Sequence, residues 1–161
     1  MTQLSEAHFE VHDKNKAKMY NMNKFFANTG KIMLVDGDLL AYKITSSLEE
    51  AIDWGNDIWT LSSDFKRGKQ LFLQSIGYYL ALTKSKDAII CFSDKNNFRK
   101  KLDSSYKSYR KKIRKPTCYS AMRKWIEETH ETVSFKNLEG DDAIGLLATG
   151  KYKDNCVIVS G

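Results

Sequence analysis

Residues 31–38 read KIMLVDGD, and this octet decides the fold. Four apolar residues, Ile32, Met33, Leu34 and Val35, run without a break and stop at Asp36, Gly37 and Asp38. The run is too short for a helix, has β-branched residues at both ends and stops abruptly at DGD, so it predicts a buried strand. Residues 87–93, DAIICFS, repeat the pattern and again stop at an acid, Asp94. Residues 156–160, CVIVS, form a third such run, and 132–135 a shorter one. Helical patterns fall between them. Residues 39–46 form one, and a long one runs from a cap at Ser62 or Ser63 to about Lys84, with Phe65, Phe72, Ile76, Tyr79 and Leu80 on one side. Residues 119–129 and 139–149 complete the set, the last followed by Gly150, a common helix stop. Residues 47–60 carry acids and two Trp and suit no element; residues 19–26 predict a helix within an N-terminal extension, 1–30, outside the core.

Strands alternating with helices imply an α/β fold with a mostly parallel sheet flanked by helices. Ligands of such folds bind outside the carboxyl ends of the strands. Two strands end here in an acid, Asp36 and Asp94.

The 161 residues, 42% hydrophobic and 12% aromatic, can build a core, which excludes a wholly disordered chain. No apolar run reaches the ~20 residues of a spanning helix, and residues 1–18 have no apolar stretch of the signal-peptide kind. The expected location is cytoplasmic, with no membrane partner. Cys91, Cys118 and Cys156 match neither a disulfide framework nor a zinc pattern and read as reduced thiols. His8, His12 and His130 read as surface residues.

Charge is concentrated. Of 26 Lys and Arg, ten lie in residues 95–115: Lys95, Arg99, Lys100, Lys101, Lys107, Arg110, Lys111, Lys112, Arg114 and Lys115. Asp103 is the one acid there, and outside this stretch acids outnumber bases 19 to 16. One segment therefore makes the protein basic, a footprint suited to a polyanion. Phe98, Tyr106 and Tyr109 interleave with the charges, so bases could stack on them. The segment has helical composition as far as Pro116, which ends or kinks any helix. A solvated loop is the plainer alternative.

Six carboxylates complete the pattern: Asp36, Asp38, Asp94, Glu139, Asp141 and Asp142. Residues 138–145, LEGDDAIG, place three of them at a helix start. Acids there favour the helix dipole and cap free amides, which alone explains them. Together with two strand-end acids they would repel one another unless a cation sits among them. Hard oxygen donors suit Mg²⁺ or Mn²⁺, and two such ions can clamp a phosphodiester.

KIMLVDGDLLAYK, then CFSDKNNFRKKLDSSYKSYRKKIRKP, then LEGDDAIG and VIVSG resemble successive motifs of the 5′→3′ exonuclease and flap endonuclease superfamily, and most of all the exonucleases of short-tailed bacteriophages. The resemblance covers residues 31–161. It implies a PIN-like (resolvase-like) α/β domain with a basic helical arch at about 95–116, and a two-ion site of Mg²⁺ or Mn²⁺. It implies metal-dependent hydrolysis of DNA with 5′ ends, flaps or single-stranded tails. Asp36, Asp94, Glu139, Asp141 and Asp142 would be metal ligands or their neighbours; Asp38 has less support. Lys107 and Arg110 would be the catalytic cations. Arg99, Lys100, Lys101, Tyr106, Lys107, Arg110, Lys111, Lys112, Arg114 and Lys115 would hold DNA. In this family an Asp-x-Asp motif and a helical DNA-gripping region follow the strand matching CVIVS, whereas this sequence stops at Gly161. The expectation is an N-terminal half, with a second polypeptide as the expected source of whatever it lacks as an enzyme. Two rivals stay open: a non-catalytic DNA-binding subunit or remnant, and a haloacid-dehalogenase-type phosphatase, which VDGDL also resembles but whose motif order does not match.

Overall fold

The computed structural model describes residues 30–103, 105–108 and 113–160. Its centre is β1 (Ile32–Asp36), which pairs in parallel with β4 (Asp87–Cys91) on one side and β6 (Cys156–Val159) on the other. β5 (Thr132–Val133) adds to β4, giving a four-stranded parallel sheet in the order β5-β4-β1-β6. Side chains alternate along a strand, so each central strand feeds both faces. Met33, Val35, Ala88 and Ile90 join one core with α1 (Gly37–Ser47), α2 (Phe65–Thr83) and α4 (Tyr119–Thr129), through Leu40, Phe72, Ile76, Met122 and Ile126. Ile32, Leu34, Ile89 and Cys91 join the other with Ala143, Ile144 and Leu147 of α5 (Gly140–Thr149). The result is a mixed α/β domain with helices on both faces of a parallel sheet. Each fully buried Leu, Ile, Met or Phe in it contributes about 1.5–3 kcal/mol.

β1 turns into α1 without a loop. Asp36 is both the last strand residue and the helix cap, its Oδ1 accepting from the Leu39 amide at 3.0 Å. Gly37 makes this possible: a Cβ there would lie 2.5 Å from Ile90 Cγ2 and 2.8 Å from the Phe92 ring.

Several expectations are corrected. The long helix is capped by Asp64, whose Oδ1 accepts from the Arg67 amide, and not by Ser62 or Ser63, which belong to a strand. Residues 47–60 fall mostly within an antiparallel hairpin of β2 (Glu49–Asp53) and β3 (Trp59–Ser63), outside the main sheet. Both its faces meet solvent, so its apolar residues follow no inward alternation; Trp54 is 66% and Trp59 61% exposed. Among the described residues of the basic segment, α3 (Phe98–Leu102) is α-helical and Ser108 lies in a 3₁₀ turn, with a break at Asp103 between them, so no continuous helix runs from α3 to Pro116. Asp103 turns the chain: its Oδ1 accepts from the Ser105 amide and hydroxyl at 2.8 and 2.6 Å, an Asx-type turn that competes with helix.

His130 is not a surface residue. Its ring packs edge-on against Phe72 and Trp125, its Nε2 is buried without a partner among the described residues, and burial pushes its pKa down to about 4. His8, His12, the helix expected at 19–26 and the extension 1–30 up to residue 29 lie outside the described residues. Cys91, Cys118 and Cys156 are all free thiols, with Cys91 pushed up to about 11 by burial. No helix among the described residues is long and apolar enough to cross a membrane.

Candidate functional site: an acidic edge met by a basic segment

The carboxyl edge of the sheet collects the acids. Asp36 ends β1 beside Cys91, the last residue of β4. Two contacts draw the start of α5 to the same edge: the Asp94 amide donates to the Leu138 carbonyl at 2.9 Å, and the Gly140 amide donates to Ser93 Oγ at 2.9 Å. Glu139 and Asp142 then form a reciprocal capping box, the Asp142 carboxylate accepting from the Glu139 amide at 3.0 Å.

These acids are not equivalent. Burial raises the Asp36 carboxyl above its ordinary value, the Leu39 amide opposes this, and the nearby charges of Asp141 and Asp38 raise it further. No cation pairs with Asp36 or Asp141 among the described residues. Glu139 and Asp142, by contrast, are filled from the basic segment. Arg99 grips Asp142 through two parallel bonds of 2.6 and 2.7 Å, and this pairing pulls the Asp142 carboxyl down to about 2. Lys107 Nζ donates to both oxygens of Glu139 at 2.9 and 3.1 Å, and the Tyr106 hydroxyl donates to the same carboxylate at 3.1 Å. Burial lowers the Lys107 pKa, but its bonds to Glu139 and Tyr106 outweigh that and leave it raised.

Asp94 stands apart. Its Oδ2 accepts from the Asn137 amide at 2.7 Å, which holds its carboxyl below the usual range. Among the described residues no group of three or more His, Cys, Asp or Glu is placed to hold a metal ion. The expected ligand set Asp36, Asp94, Glu139, Asp141 and Asp142 therefore shares an edge and has hard-oxygen chemistry, but it is not assembled into a cage.

The described residues expected to hold DNA divide into three groups. Arg99, Tyr106 and Lys107 point into the acidic edge. Arg114 is taken by the hairpin, where it pairs with Glu49, which also accepts from the Thr117 amide and hydroxyl at 2.7 and 2.8 Å. Lys100, Lys101 and Lys115 are exposed, Lys115 lying over the Tyr119 ring at 4.5 Å. Tyr109, Arg110, Lys111 and Lys112 lie outside the described residues.

Sequence reading missed a hub around Asp38. Its Oδ2 accepts from the Ser93 amide at 2.7 Å, and its Oδ1 accepts from the Tyr119 hydroxyl at 2.7 Å and faces Arg123 at 3.3 Å. Arg123 also donates to the Ser93 carbonyl at 2.9 Å. This ties α4, α1 and the end of β4 together beneath the acids. Nothing in the spacing of Tyr119 or Arg123 signals the role, because their partners are 81 and 85 residues away.

No model of a known protein family matches the sequence, and no solved structure matches it. Two curated proteins do. The chain is 32% identical over 124 residues to the exonuclease of Escherichia phage T7, covering 73% of this chain and 41% of that protein. It is 32% identical over 124 residues, with the same coverage, to the exodeoxyribonuclease of Enterobacteria phage T3. The chain thus spans less than half the length of the curated relatives it matches. The identity extends over most of this chain. Over those residues the chain is a homologue of the phage exonucleases.

Proposed function

We propose that this chain carries the acidic edge and DNA-holding segment of an exonuclease that hydrolyses phosphodiester bonds in DNA, working from 5′ ends, flaps or single-stranded tails. The observation that supports this best is the meeting of Arg99, Tyr106 and Lys107 with Glu139 and Asp142 at the carboxyl edge of the sheet, in a chain homologous to phage exonucleases. Cations that reach this edge are the groups that would hold a phosphate over the acids. The exposed Lys100, Lys101 and Lys115 would track the backbone without reading sequence. Dependence on Mg²⁺ or Mn²⁺ belongs to the same proposal, as does the PIN-like fold with an arch formed by the basic segment. Arg110, Lys111 and Lys112 keep their proposed DNA role, with Lys107 and Arg110 as the catalytic cations.

The test is a cleavage assay on 5′-overhanging and 5′-flapped duplexes with Mg²⁺ or Mn²⁺, with Asp141→Ala/Asp142→Ala in parallel. Metal-dependent cleavage that vanishes in the double variant supports the reading. One observation favours a second reading, a non-catalytic DNA-binding unit: the acids do not form a three-carboxylate cage among the described residues. Salt-sensitive DNA binding without cleavage would support it, and would direct the search to a second polypeptide.

A further inference from the structure

Five large apolar residues of the hairpin, Ile52, Trp54, Ile58, Trp59 and Leu61, are exposed. Single exposed residues are ordinary, but such a group on one short ribbon marks a surface that something covers. The ribbon has only two strands, and two strands alone are marginal in water without a further surface to pack on. Opposite residues of an antiparallel pair share a face. Ile52 stands opposite Thr60, and Trp54 Nε1 donates to Thr60 Oγ1 at 2.8 Å. Glu50, Ile52 and Trp54 therefore lie on one face. The other face carries Trp59 and Leu61, and its Glu49 is held by Arg114 and Thr117. Among the described residues Glu50 pairs with no cation.

Charge says what chemistry suits that face. Residues 44–65 hold five acids, Glu49, Glu50, Asp53, Asp57 and Asp64, and no Lys or Arg. Bases of single-stranded DNA can stack on Trp, but here their phosphates would meet an acidic ribbon. The complementary occupant is apolar and basic. The chain holds such a segment outside the described residues. Residues 14–28, KNKAKMYNMNKFFAN, carry Lys14, Lys16, Lys18 and Lys24, no acid, and Met19, Tyr20, Met22, Phe25 and Phe26. Met19 precedes Gly30 by eleven residues. That length of chain reaches up to about 36–40 Å, more than twice the roughly 15 Å radius of gyration of a folded chain this long.

We propose that the hairpin face bearing Glu50, Ile52 and Trp54 is the docking surface for residues 14–28 of the same chain. The Met and Phe side chains of that segment cover Ile52 and Trp54, and its lysines meet the acids of the ribbon. The contact is intramolecular, so it does not depend on protein concentration. It does not rest on the nuclease reading either.

The experiment is acrylamide quenching of tryptophan fluorescence in the full chain carrying Trp59→Phe. This leaves Trp54 on the docking face and Trp125 packed edge-on against Phe72 in the core. The measurement is repeated with Phe25→Ser/Phe26→Ser, with Lys18→Glu/Lys24→Glu, and with the latter plus Glu50→Lys. Docking predicts a quenching constant at least twofold higher in the Phe variant and a smaller rise in the Lys variant. Adding Glu50→Lys should bring the Lys variant back toward the parent, because it restores opposite charges across the contact. An unchanged constant in Phe25→Ser/Phe26→Ser overturns the proposal. A constant in the parent that falls as protein concentration rises makes a second copy the occupant and overturns it too. So does a 5′-tailed oligonucleotide that shields Trp54 from acrylamide, since that gives the face to DNA.

Discussion

Asp36 and Asp142 share one edge of the sheet and stand in opposite electrostatic states. Asp36 is partly buried, faces Asp141 and Asp38, and has its carboxyl raised. Asp142 is gripped by Arg99 and has its carboxyl pulled down to about 2. Both cap helices that start at the same edge, so capping does not separate them. The difference lies in the surroundings: burial first and then nearby acids raise Asp36, whereas the bonds to Arg99 lower Asp142. A carboxylate in a motif is thus only a position, and its charge state is set by what the tertiary fold brings to it.

The largest effect should come from breaking the Asp36 side alone. Gly37→Ala drives a methyl into Ile90 and Phe92, and overpacking of this kind costs about 1–3 kcal/mol. Urea denaturation should show that loss, whereas Gly145→Ala, where a Cβ meets nothing within 4 Å, should show none. Next comes the carboxylate pair itself. Asp142→Asn forfeits a charged two-point bond and should cost about 1 kcal/mol, discounted for its partial exposure. Asp36→Asn removes a charge that its surroundings resist while keeping the cap, so its stability should equal or exceed the parent's. Equal losses in the two variants would break the comparison.

Acid titration sharpens it further. The Asp142 contribution is present above its ordinary value of 3.8 and is lost as pH falls toward about 2. Asp36 runs the other way: its folded pKa is raised above 3.8, so protonation relieves it and its contribution grows as pH falls through that raised value. His130 overlaps this range. Its neutral form is favoured by burial, so stability falls as pH drops from the ordinary 6.5 through about 4. Denaturation curves in a His130→Gln background should therefore lose the first limb and expose the carboxylate limbs. Asp142→Asn should then flatten the lowest-pH limb.

The parallel sheet was legible because β1 and β4 are buried on both faces, which leaves a continuous apolar run with a sharp end. The helix starting at Gly140 was legible from its three acids and its closing Gly150. The hairpin at 49–63 was not, because neither face packs on the core and the period carries no inward signal. The acids were legible as positions, but the filling of Asp142 by Arg99 was not, since the two are 43 residues apart. Among the described residues the helical reading of the basic segment holds over α3 and breaks at Asp103. Asp103 turns the chain locally, and Arg99 and Lys107 are spent on tertiary pairs.

The same contrast between occupied and unoccupied charge yields the smallest effect, within the basic segment itself. Arg114 pairs with Glu49, whose carboxyl is held down to about 2 by Arg114 first and then by Thr117. A cation so engaged releases little counterion on meeting a phosphate, whereas exposed Lys100 can release its full share. Each phosphate contact contributes about 0.7–0.9 to the slope of log affinity against log salt. Lys100→Gln should therefore lower that slope by about one contact, and Arg114→Gln should lower it by less. Glu49→Gln should move it the opposite way, because it leaves Arg114 for the phosphate. Fluorescence anisotropy of a labelled 5′-tailed duplex across a salt series measures all three. If Arg114→Gln lowers the slope as much as Lys100→Gln does, the Glu49 pair opens freely in solution, and occupancy in the fold says nothing about which cations reach DNA.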